Sequence, residues 1–252
     1  MPSSAFYTEA FYDDQSEGSL ESAVQVVPLI VDLLRPASVV DIGCGVGTWL
    51  SVFMKGGIED VIGIDGDYVK TSQLHIPQDR FVAKDLARPF KLDRTFDVAM
   101  SLEVAEHLPG SAAEDFIGSL VSLAPVVLFS AAMPGQGGTN HINEQWPEYW
   151  RNLFDSHDYC VIDILRPRVW LNDKIGPCYR QNMFLYIRKN ALEKYSRVIE
   201  ASNKGDTLPM SIIHPGVFKH ALGRPLSLRR LLRALPNALS TTIRRRLPSL
   251  PK

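Results

Sequence analysis

The stretch SLEVAEHLPG, residues 101–110, puts Glu103, Glu106 and His107 within five positions. At i, i+3 and i+4 they share one side of a helical turn. Two carboxylates and an imidazole in that arrangement offer the oxygen and nitrogen donors that a divalent cation takes. A second polar cluster follows in GQGGTNHINEQWPEYW, residues 135–150. It is too polar for a core segment and too aromatic for a plain surface loop. Gly135, Gly137 and Gly138 let the chain curl. His141 is a candidate base or ligand, and His107 is the second catalytic candidate. Asn143, Glu144 and Gln145 are candidates to read hydroxyls, and Trp146 and Tyr149 to stack on a flat or sugar-like face. The plainer role for Trp146 and Trp150 is to pack a helix on a sheet, and that is the one expected of Trp150.

A third cluster lies upstream in VVDIGCGVGTWL, residues 39–50. Gly43, Gly45 and Gly47 sit at a strand-to-helix turn, where glycine permits positive φ and lets a ligand touch backbone. The spacing is G-x-G-x-G and not the G-x-G-x-x-G of a dinucleotide site. Asp41 would oppose a pyrophosphate but suits a cationic ligand. Asp65, about 20 residues on, can accept hydrogen bonds from both hydroxyls of a ribose, with Asp67 as the fallback. Asp85 can take an adenine amino group while Leu86 supplies backbone; the alternative for Asp85 is a turn cap. Tyr12 and Ser19 precede a helix placed to lid the cluster. Trp170 and Tyr179 are further contact candidates, Trp170 toward the substrate. Cys44 reads as a small filler.

The elements that must position these groups follow from hydrophobic periodicity. SVVDI (38–42), DVIGID (60–65), RFVAKD (80–85), TFDVAMS (95–101), PVVLFSAA (125–132), YCVIDIL (159–165) and QNMFLYIR (181–188) read as strands. GTWLSVFMK reads as a helix, as does 111–124, opened by a capping box of Ser111 and Glu114. A further helix spans 147–157, with Pro147 in its first turn. This alternation predicts an α/β sheet covered on both faces, with sites at the carboxyl ends of the strands. The organisation expected is an N-terminal helical lid (1–36), a core domain (37–190), a helix and linker (191–225) and a basic amphipathic tail (226–252).

The 252 residues are 45% hydrophobic, which suits one globular domain with an appendage. No run has the length of a spanning helix, and the N-terminus lacks the pattern of a secretory signal. Three cysteines without metal spacing point to a reduced, cytoplasmic protein. All 28 acidic residues precede position 207, whereas nine of the 27 basic residues follow it. An acidic body does not suit nucleic acid, so none is expected as a partner. The tail repeats Leu228, Leu231, Leu232 and Leu235 at helical spacing among arginines. Such a helix suits an anionic membrane, here through 226–247 at the inner face, or docking on the acidic body or a second subunit.

VVDIGCGVG, VIGID, KDL and FDVAMSLEVAEHL together resemble, in order and spacing, the motifs of class I S-adenosylmethionine-dependent methyltransferases, over about residues 20–190. The resemblance implies a Rossmann-like, doubly wound seven-stranded sheet with the last strand antiparallel. It also implies S-adenosylmethionine at Asp41, Gly43, Gly45, Asp65 and Asp85. GQGGT followed by H-x-NEQWP is similar to bacterial members with undefined acceptors. E-x-x-E-H resembles the ubiquinone-pathway and small-RNA O-methyltransferases, where it holds magnesium or manganese; the RNA enzymes add a later histidine, here His141. Other members carry a similar motif as a metal-free wall of the acceptor pocket. Methyl transfer, to a hydroxyl of a sugar, glycan or small metabolite, is therefore the expected activity. An NAD-dependent oxidoreductase and a non-catalytic binding module are the alternatives.

Overall fold

A computed structural model describes residues 9–205, 207–223 and 235–236, with side chains from residue 18 onward. The Tyr12 side chain and nearly all of the 226–252 tail, with the membrane contact expected there, lie outside the described residues. Among those described, no helix is long and apolar enough to cross a membrane.

The elements run α1 (Glu9–Leu34), β1 (Ser38–Ile42), α2 (Thr48–Lys55), β2 (Asp60–Asp65), β3 (Phe81–Ala83) and β4 (Val98–Leu102). They continue with α3 (Ala113–Leu123), β5 (Val126–Ser130), α4 (Pro147–Ser156), β6 (Tyr159–Ile162), α5 (Arg166–Val169), α6 (Pro177–Asn182), β7 (Phe184–Arg188), α7 (Ser196–Asn203) and α8 (Pro215–Gly223). One seven-stranded sheet has the order β3-β2-β1-β4-β5-β7-β6. β7 alone runs against its neighbours, pairing antiparallel with β5 and β6.

β1, β4 and β5 are buried along their whole length, as parallel strands covered on both faces must be. Successive side chains enter opposite cores. Val126 and Leu128 join α1, α2 and Tyr195 on one face. Val127 and Phe129 join Phe116, Ile117 and Phe154 on the other. Trp150 is buried and packs its ring 5.3 Å from that of Phe129, fastening α4 to the sheet. The strand order reverses between β1 and β4, so loops leaving these strands and β5 meet over one cleft.

Three local expectations are corrected. The capping box does not form: a tight turn at Gly110–Ala112 precedes α3, and Ala112 at its N-cap makes no side-chain hydrogen bond. Gln181 and Asn182 end α6 and do not open a strand, so their amides point at other polar groups. The segment at 103–107 is not an α-helical turn. Glu103 is left-handed at φ 57°, and Ala105–His107 is a short 3-10 turn.

Candidate methyl-transfer site

The first loop, between β1 and α2, is held by Asp65. Its carboxylate accepts hydrogen bonds from the Gly45 amide at 2.7 Å, the Gly66 amide at 2.6 Å and the Tyr68 hydroxyl at 2.6 Å. Burial pushes the Asp65 carboxyl up, and these donors pull it back. Asp41 is also buried, and burial and then the charge of Asp65 push its carboxyl well above the usual range. Gly43 is at φ 85°, and a Cβ there would fall 2.3 Å from the Val104 side chain. The glycine loop therefore seats against the loop carrying Glu103 and Glu106. The cleft at this junction is lined by Asp41, Gly43, Gly45, Leu102 and, from outside the sheet, Ser19 and Tyr179. Gly47 caps α2 at φ 81°. Asp85 accepts the Ala87 amide at 3.1 Å and pairs with Arg88, and Leu86 is buried. Asp67 is exposed. Cys44 is buried and its thiol is pushed up by burial, as befits a filler.

The second loop, after β4, divides the two glutamates. Glu103 accepts from the Gln136 side-chain amide at 2.6 Å and from that of Asn182 at 3.1 Å. Its own amide donates to the Ser130 carbonyl at 3.0 Å. Its carboxyl is raised by burial, and the donations from Asn182 and Gln136 oppose the rise. Glu106 is fully buried, and no side chain donates to either of its oxygens. Burial first, then the charge of Glu103, push its carboxyl well above the usual range.

The third loop, after β5, brings His141 to Glu106. The backbone binds the loops together: the amides of Ile142 and Asn143 donate to the Glu106 carbonyl at 2.9 and 3.0 Å. The His107 and His141 rings meet edge to face at 4.8 Å. His141 lies against Gly138, where a Cβ would fall 2.2 Å from its Nε2. Its Nδ1 is 3.0 Å from Glu144, and Nε2 faces Glu106 Oε1 at 4.0 Å. A proton on Nδ1, donated to Glu144, leaves the Nε2 lone pair turned toward Glu106. The carboxylate–imidazole pairing of metal ligands has this form. Burial and the neighbouring His141 lower His107 to about 4, so it is a neutral imidazole at neutral pH. Donor atoms of Glu106, His107 and His141 lie within 4.8 Å of one another. Glu103, expected as a fourth ligand, is not in that group, because its left-handed backbone sends the carboxylate to Asn182 and Gln136.

The hydroxyl-reading candidates have these places. Glu144 accepts the amides of Gly135, at 2.8 Å, and Gly137, holding the loop's own backbone. Gln145 donates to Asn143 at 2.9 Å, and Asn143 is buried. Trp146 is 44% exposed. Tyr149 packs edge to face on Trp150. Trp170 packs on His214. Gln136 and Asn182 were not among the sequence candidates. Asn182 had a signal, the Gln181-Asn182 pair set against an apolar run, a costly thing to bury unless both amides are bonded; Gln136 had none.

A family model described as "Methyltransferase domain" matches residues 15–164. The chain belongs to that family. This methyltransferase is similar to the structure of the S-adenosylmethionine-bound amino pentose methyltransferase from Micromonospora echinaspora, involved in calicheamicin biosynthesis. The TM-score is 0.51 at 16% identity, over 70% of this chain and 96% of that one. It is also similar to the methyltransferase domain of a bacterial Hen1, at TM-score 0.50 and 19% identity, over 66% of this chain and 97% of that one. At such identities the likeness establishes the fold, which is the class I architecture the sequence motifs implied. No curated protein sequence matches the methyltransferase.

Proposed function

We propose that the protein transfers the methyl group of S-adenosylmethionine to a hydroxyl of a sugar, glycan or small metabolite. We assign a divalent cation, magnesium or manganese, to Glu106, His107 and His141. The observation that carries the reading is the meeting of these three donors on loops that seat against the glycine-loop cleft.

The residues fit both groups. Positive-φ glycines expose backbone to a ligand. Asp65 already accepts donors of the kind a ribose offers. Asp41 is a buried carboxylate whose charge a sulfonium would offset. Asp85 and Leu86 stand at the end of β3 for the adenine. Bound S-adenosylmethionine supplies the electrophilic methyl group. The buried oxygens of Glu106, to which no side chain donates, fit a cation. A cation there would lower the pKa of an acceptor hydroxyl. The chain's own task is alignment: Glu103 is fixed by Gln136 and Asn182, and His141 by Glu144 and Gly138. The exposed Trp146 offers an acceptor a face to stack on, and the acidic body argues against a nucleic-acid acceptor.

Isothermal titration with S-adenosylmethionine and with NAD tests the cofactor: binding of the first alone is expected, and binding of NAD alone would contradict it. Methyl transfer to glycan and metabolite pools is expected to stop in EDTA and to return with magnesium or manganese. Full turnover in EDTA would remove the cation and leave His141 as a plain base.

A further inference from the structure

Asp65, buried at the end of β2, has little accepting capacity left. An ionised carboxylate offers about four lone-pair positions, two on each oxygen. Oδ1 accepts the Gly66 amide at 2.6 Å and the Tyr68 hydroxyl at 2.6 Å. Oδ2 accepts the Gly45 amide at 2.7 Å. Donors from the described residues therefore fill both positions on Oδ1 and one on Oδ2. A ribose presents two neighbouring hydroxyls, and each needs a position of its own. The carboxylate has room for one.

The three donors are not equal. The Gly66 and Gly45 amides are backbone, held by the end of β2 and by the glycine loop. Tyr68 donates from a half-buried side chain, in a turn that the Val69 amide closes on the Gly66 carbonyl at 3.2 Å. Rotation about its own side-chain bonds takes the hydroxyl off Asp65 and leaves the sheet unmoved.

The sequence around it is fitted to this contact. A Cβ on Gly66 would fall 2.0 Å from the Tyr68 ring. Gly66 lies outside the left-handed region, so its backbone does not call for glycine. The missing side chain instead lets the ring fold back over the turn until its hydroxyl meets Asp65. The ring also packs on the buried Val46 and Val69, and Val46 belongs to the glycine loop.

We propose that the Tyr68 hydroxyl occupies the place of a ribose hydroxyl on Asp65 and leaves it when S-adenosylmethionine binds, so that Tyr68 sets how tightly the cofactor is held. The proposal rests on the reading of Asp65 as the ribose acceptor. Without cofactor, the phenol satisfies a buried carboxylate that would otherwise lack a donor. Apparent affinity is then reduced by the fraction of chains in which Tyr68 still holds that place.

The test is calorimetry with S-adenosylmethionine on the parent, Tyr68→Phe, Asp65→Ala and the double variant. Phenylalanine keeps the ring over Gly66 and removes the hydroxyl alone. Tyr68→Phe is expected to bind about three- to tenfold more tightly than the parent. In the Asp65→Ala background the same change is expected to give no gain, because the group for which the hydroxyl competes is gone. A Tyr68→Phe variant that binds no more tightly than the parent overturns the proposal and leaves the cofactor reading standing. An equal gain in the Asp65→Ala background overturns it too, because the effect would then not pass through the carboxylate. A parent that binds no S-adenosylmethionine removes the cofactor reading itself, and the proposal with it.

Discussion

Glu103, half-buried, and Glu106, fully buried, stand three residues apart, and their surroundings are opposite. The Glu103 region is closed: Gln136 and Asn182 fill its carboxylate with hydrogen bonds, and the backbone holds a left-handed φ to present it. The Glu106 region is less filled: no side chain donates to its carboxylate, and two imidazoles stand alongside. An unsatisfied buried polar group costs about 1–3 kcal/mol, and a charged one more. The cation proposed above would supply what the side chains around Glu106 do not. The glycine-loop end has the same division on a smaller scale, with Asp65 satisfied by three donors and Asp41 bearing burial unaided.

The contrast can be broken most severely at Glu106. Glu106→Ala is expected to lower turnover at least about 10²-fold. It should abolish binding of manganese and leave affinity for S-adenosylmethionine unchanged, both read by calorimetry. Asn182→Ala attacks the closed region. It should release one side of Glu103 and lower kcat about 10- to 100-fold through misplacement, with manganese affinity kept. Loss of manganese by this variant would merge the two regions into one. At the glycine loop, Asp65→Ala is expected to weaken S-adenosylmethionine by about 1.5–3 kcal/mol. Unchanged affinity would move the ribose contact to another residue.

The smallest effect is on stability, at Asp41. Burial, then the charge of Asp65, hold its carboxyl above the ordinary 3.8. The folded state therefore keeps this proton more tightly than the unfolded chain does. The resulting stability is full below about pH 3.8 and is lost as pH rises through the raised value. Asp41→Asn has no such proton to lose. The cofactor-free variant is expected to melt above the parent at pH 7, with the gap closing toward pH 4. A variant melting below the parent at pH 7 would show that the carboxylate has donors of its own.

Much of this arrangement was legible in the sequence. The apolar runs became the strands because strands covered on both faces must be continuously apolar, and the G-x-G-x-G turn lies where β1 meets α2 because only glycine accepts those φ values. Pro147 opened α4 because its missing amide costs nothing in a first turn. What escaped were the places where local pattern and tertiary contact disagree. Helical spacing grouped Glu103 with Glu106 and His107, but a left-handed residue separates them. Ser111 and Glu114 had the letters of a capping box, but the turn after Pro109 set the helix start one residue later than a cap allows. Gln136 and Asn182 act across 46 positions of sequence, a separation no local pattern reports.

The central claim is that Glu106, with His107 and His141, holds a divalent cation while Glu103 does not. Titration of manganese into the parent, Glu103→Gln and Glu106→Gln by calorimetry tests it most directly. The parent and Glu103→Gln are expected to bind one ion per chain with similar affinity, and Glu106→Gln to bind none. No binding by the parent, or equal binding by Glu106→Gln, would contradict it.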